Sequence, residues 1–140
     1  MEFDKQSAEQ AVLKKPPAAK RSLRQIRDVL EADVIAGERL LDSIIIETAG
    51  AADLMSDVLA FSRSGTLLLT GLANAQSLHT ADVAEMKAIV YVRDKRPDSI
   101  TVQKAEDRGI PLLCTRLGMF ECCGRLYQIG IRDDGDVSGS

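Results

Sequence analysis

Three short apolar runs constrain this chain more than any other feature. Thr66-Leu67-Leu68-Leu69-Thr70, Ala88-Ile89-Val90-Tyr91-Val92 and Pro111-Leu112-Leu113-Cys114-Thr115 recur about every 22 residues, with amphipathic stretches between them. Strands that are apolar at consecutive positions are buried on both faces, and a helix-length connection is what joins one parallel strand to the next. The chain is therefore read as α/β, a three-layer α/β/α arrangement around a mainly parallel sheet of about 4–5 strands.

The elements around these runs follow from local signals. Ser22-Leu23-Arg24-Gln25 has capping-box spacing, and Leu23, Ile26 and Leu30 continue it at helical intervals, giving a helix to about residue 32. A small strand over 33–36 and a turn at Gly37-Glu38 come next. The run 43–47, with Ile44-Ile45-Ile46 at its centre, reads as a central parallel strand, and Ala49-Gly50-Ala51-Ala52 as the lead into a helix over 53–62. In that helix Leu54, Val58 and Phe61 make one apolar stripe, with Asp53 favouring the positive end of the helix dipole. A further helix over 76–86 has Leu78, Val83 and Met86 inward. Another is capped by Asp98 or Ser99 and stopped by Gly109 before Pro111. The last, over 119–128, presents Met119, Phe120, Cys123, Leu126 and Tyr127 as its apolar face.

Residues 1–21 carry charges, Gln, Ala and Pro16-Pro17 without a complete apolar face and read as a disordered amino-terminal tail. Residues 132–140, acidic and rich in Gly and Ser, read as a disordered carboxy-terminal tail. One domain over 22–131 remains. With 140 residues, 45% of them hydrophobic, the chain can bury a core without disulfides or metal. A net charge of -3 and the absence of a long basic run argue against nucleic acid. No apolar run approaches the roughly 20 residues of a membrane span, and no apolar segment follows Met1-Glu2-Phe3-Asp4-Lys5, so a cytoplasmic location is expected. The three cysteines, Cys114, Cys122 and Cys123, fit free thiols in a reducing compartment.

The search for chemistry is mostly negative. Neither a phosphate-cradling Gly-x-x-x-x-Gly-Lys-Ser/Thr loop nor a Gly-x-Gly-x-x-Gly turn is present. His79 is the one histidine, which leaves no histidine cluster for zinc and no assembled triad. It reads as a surface or interface residue. Adjacent cysteines on a helix point about 100° apart, so Cys122-Cys123 is read as structural, with Cys123 packed on the Phe120 face. No catalytic residue, metal ligand or cofactor is expected. The positive signal lies at the carboxyl ends of the strands, where open α/β sheets bind ligands. Thr70, Gly71, Asn74, Arg93, Lys95, Arg96, Thr115 and Arg116 all fall there, a polar and basic rim suited to an anionic small molecule. The same residues would also serve simply to solvate loops.

Several pieces, in order, carry a family resemblance. They are Ala52-Asp53-Leu54-Met55-Ser56-Asp57-Val58-Leu59, Leu68-Leu69-Thr70-Gly71, Ala88-Ile89-Val90-Tyr91-Val92, Gly109-Ile110-Pro111-Leu112-Leu113 with Thr115, and Met119-Phe120-Glu121 with Cys123-Gly124-Arg125-Leu126-Tyr127. Together they resemble small stand-alone DRTGG-domain proteins over residues 22–131. The Asp-Arg-Thr-Gly-Gly signature itself is absent, and Thr70-Gly71-Leu72-Ala73-Asn74 takes the corresponding place. The resemblance implies a domain like the N-terminal domain of HPr kinase/phosphorylase, often dimeric, with relatives that act as regulatory or assembly modules inside phosphotransacetylases and beside CBS domains in pyrophosphatases. It implies a non-catalytic ligand-sensing module, with a homodimer expected. The alternative is an interaction subunit of a redox enzyme such as an iron-only hydrogenase or an NADH-linked electron-transfer complex.

Overall fold

The three apolar runs become adjacent parallel strands. A computed structural model describes residues 15–135. In chain order the elements are β1 (Arg21–Ser22), α1 (Leu23–Val29), β2 (Asp33–Ala36), a 3-10 turn (Glu38–Leu40), β3 (Ile45–Ile46) and β4 (Thr48–Ala51). They continue through α2 (Met55–Phe61), β5 (Leu67–Thr70), α3 (Ala75–Val83), β6 (Ala88–Tyr91), α4 (Ser99–Arg108), β7 (Leu112–Cys114), α5 (Met119–Gln128) and β8 (Arg132–Asp133). The main sheet has six strands in the order β2-β7-β6-β5-β4-β8, and β1 and β3 form a separate two-stranded pair. Every pairing in the main sheet is parallel except β2 with β7.

Side-chain alternation along the central strands divides the core in two. Leu67, Leu69, Ala88, Val90 and Leu113 pack toward Leu23 and Ile26 of α1 and Cys122 and Leu126 of α5. Leu68, Ile89, Tyr91 and Leu112 pack on the other side, toward Met55 and Val58 of α2, Leu78 and Ala81 of α3 and Ala105 of α4. Helices therefore cover both faces, which is why these strands have no polar face at all. Each fully buried leucine or isoleucine contributes roughly 1.5–3 kcal/mol through removal of apolar surface from water.

Local signals behave as read at several termini. Ser22 caps α1 reciprocally: its hydroxyl accepts from the Gln25 amide at 3.2 Å, and its own amide donates to the Gln25 side chain at 2.9 Å. Asp98 accepts from the Thr101 amide at 2.8 Å, which holds its carboxyl below the usual range. Gly37 pins β2 to the connector before β7. Its φ is +76°, and a Cβ there would stand 2.8 Å from the Cα of Pro111, so no other residue fits without a backbone shift.

The run 43–47 is corrected. It is not a central parallel strand: only Ile45 and Ile46 are extended, paired antiparallel with β1, and Ile45 is exposed while Ile46 is buried. The strand that joins the main sheet is the next segment, Thr48–Ala51, read from sequence as a lead-in. Small residues suit that place, because Gly50 lies against the Asp134 carboxylate and a Cβ there would collide with it. The sheet accordingly has one strand more than the upper end of the expectation.

Helix faces also differ in detail. Met55 and Val58 turn inward on α2, whereas Leu54 (61% exposed) and Phe61 (75%) face solvent. Val83 is exposed on α3. On α5 the inward pair is Cys122 and Leu126, four residues apart, and Cys123 is half-buried. Phe120, at 93% exposure, and Tyr127 lie on the opposite stripe. The 119–128 helix carries apolar residues around much of its circumference, so periodicity alone does not choose the face.

The segments assigned to tails are partly docked. The Ala19 amide donates to the Gly130 carbonyl at 3.1 Å, Arg132 donates to the Pro16 carbonyl, and β8 adds two residues to the edge of the main sheet beside β4. The remainder of the expected tails, 1–14 and 136–140, lies outside the described residues.

Candidate functional site

The carboxyl ends of β5, β6 and β7 lie side by side, so the loops 71–74, 92–98 and 115–118 share one rim of the sheet. The threonines expected there are occupied with the fold. Thr70 is buried; its hydroxyl donates to Asp53 Oδ1 at 3.1 Å and accepts from the Leu72 amide at 3.1 Å. Thr115, also buried, donates to the Leu30 carbonyl at 2.7 Å and accepts from the Leu117 amide at 3.1 Å. Asn74 caps α3 by accepting from the Ser77 amide at 3.1 Å. Gly71 donates its amide to Asp53 Oδ1 at 2.7 Å.

Asp53 is the residue sequence reasoning assigned elsewhere. Its carboxylate ties the end of β4 to the turn after β5, rather than serving the dipole of α2, whose first residue is Met55. Recognition of Thr48–Ala51 as a strand would have revealed it, since Asp53 then stands at a strand's carboxyl end. Ser77 is a second such residue. Its hydroxyl lies 2.9 Å from that of fully buried Tyr91 and donates to the Asn74 carbonyl at 2.9 Å, linking β6 to the α3 cap. Burial pushes the Tyr91 phenol up, against the opposing effect of the Ser77 hydrogen bond.

The four cationic side chains fall into two classes. Arg96 is held by Asp33 at 2.7 Å and by Asp94 at 3.2 Å, and Arg116 by Glu31 at 3.2 Å. Glu31 also accepts from Arg125 at 2.9 Å. Arg93 and Lys95 have no carboxylate partner among the described residues. Arg93 and Asp94 are consecutive left-handed residues, φ 58° and 56°, held by amide bonds to the Leu117 and Thr115 carbonyls at 2.9 and 2.8 Å. This turn lays the Arg93 guanidinium over Gly118, with Nη2 3.7 Å from the place a Cβ would take. Gly118 is the N-cap of the ten-residue α5 and supplies no side-chain cap to its first-turn amides. The structure thus joins Arg93 to the α5 N-terminus, a pairing that sequence spacing did not reveal.

The cysteines do not form a reactive centre. Cys114 donates weakly to the Lys95 carbonyl at 3.3 Å, and burial pushes its thiol up to about 11. Cys122 is pushed up to about 11 by the same cause. Among the described residues, no group of three or more His, Cys, Asp or Glu side chains stands where it could hold a metal, and no helix is long and apolar enough to cross a membrane. His79 is exposed and lies away from the rim, in a groove of about 400 Å³ between α3 and α4 that the Arg108–Asp82 ion pair bridges.

No protein-family model and no curated protein sequence matches the chain. Among solved structures it is similar to the crystal structure of the CBS and DRTGG domains of the regulatory region of Clostridium perfringens pyrophosphatase, complexed with the activator diadenosine tetraphosphate. The TM-score is 0.64 at 17% identity, over 81% of this chain and 48% of that one. The chain spans about half the length of that structure. The likeness is one of fold.

Proposed function

We propose that this chain is a non-catalytic regulatory module, a DRTGG-like domain that senses an anionic metabolite or nucleotide at the carboxyl ends of β5, β6 and β7. The observation that carries the reading is the placement of Arg93 over Gly118. A helix N-terminus is the positive end of the helix dipole and offers free amides to an anion. A guanidinium beside it adds charge of the same sign, and an anion between the two would relieve both. Two successive left-handed non-glycine residues cost of order 1–3 kcal/mol each, a strain typical of ligand clamps. The fold neighbour is described as complexed with a polyphosphate, diadenosine tetraphosphate; an anion of that class fits a rim with two cations that have no carboxylate partner among the described residues.

In this reading Arg93 and Lys95 contact the anion, and the α5 amides receive one of its oxygens. Thr70, Gly71, Asn74 and Thr115 fix the loops, while Arg96 and Arg116 border the site in ion pairs that are worth little at such exposure. Residues 22–131 form the module, with the docked parts of 15–21 and 132–135 completing its edge. Isothermal titration with ATP and with diadenosine tetraphosphate tests the site. Arg93→Ala should weaken binding about tenfold or more, the loss of a charge-assisted hydrogen bond, and Arg116→Ala should change it far less. Unchanged binding by Arg93→Ala would remove the site.

A second reading, a dimerising interaction subunit, is favoured by one observation. Phe120, Phe61 and Leu54 are large, apolar and exposed. Light scattering on the wild type and on Phe120→Ser decides whether α5 contributes to a homodimer.

A further inference from the structure

We draw no further inference here: the strongest candidate, the exposed apolar surface patch that Leu54, Leu59 and Phe61 form around α2, carries nothing because nothing in the structure shows what covers it.

Discussion

The centre of the sheet and its β4 edge are built to opposite rules. In β5, β6 and β7 every side chain is buried, and leucine, isoleucine, valine and tyrosine fill both faces. In β4 the sequence is Thr-Ala-Gly-Ala, one of the four is exposed, and a cavity lies over its inner face. The centre therefore sets stability, and the edge gives up packing for space. A third kind of place, the rim above the central strands, holds Arg93 and Lys95, which have no carboxylate partner among the described residues. The difference teaches that chemistry in this chain is to be sought where packing or pairing is incomplete, not where apolar residues are most concentrated.

Substitutions should reveal that contrast in graded form. The largest effect is expected in the centre: Leu68→Ala, between α2 and α3 on a fully buried strand, should lose about 2–5 kcal/mol in chemical denaturation. Ala51→Ser at the exposed edge should stay within about 0.5 kcal/mol. A comparable loss at both places would break the distinction between centre and edge. Gly37→Ala should cost about 2 kcal/mol or more, from the positive φ and the approach to Pro111 together. Tyr91→Phe removes the partner of the buried Ser77 hydroxyl and should cost about 1 kcal/mol, as should Asn74→Ala through loss of the α3 cap.

A different kind of effect is expected in alkali. Burial raises the Cys114 and Cys122 thiols from 9.0 to about 11, so between those values the unfolded chain loses protons that the folded chain keeps. Stability should then be complete below pH 9 and fall as pH rises toward 11. The Cys114→Ala/Cys122→Ala double variant should flatten the thermal midpoint over that window, and an unchanged slope would place the titration elsewhere.

Much of the fold was legible because its signals were local and strong. Three continuous apolar runs, the Ser22–Gln25 box, the Asp98 cap and the Gly109 stop all read correctly against the structure. The errors have a common cause. Ile44-Ile45-Ile46 looks like a central strand by propensity, yet tertiary pairing chose the small residues after it, where Gly50 lies against the Asp134 carboxylate. Phe120 read as core because α5 is apolar over a wide arc, and which part of an arc meets the sheet is settled by packing. The rim was legible as a position, through the general placement of ligands at strand ends. Its internal division was not. That Arg96 and Arg116 are paired while Arg93 reaches Gly118 depends on contacts between residues 25 to 85 positions apart and on a left-handed turn that Arg and Asp seldom signal.

The central claim, an anion site at Arg93 and the α5 N-terminus, is tested most directly by thermal shift with diadenosine tetraphosphate and ATP on the wild type and on Arg93→Ala/Lys95→Ala. Ligand at about 100 times its dissociation constant adds about 2.7 kcal/mol, and the wild-type midpoint should rise by several degrees while the double variant's stays in place. Equal shifts in both proteins, or none in the wild type with inorganic phosphate, ATP or the dinucleotide, would contradict the account.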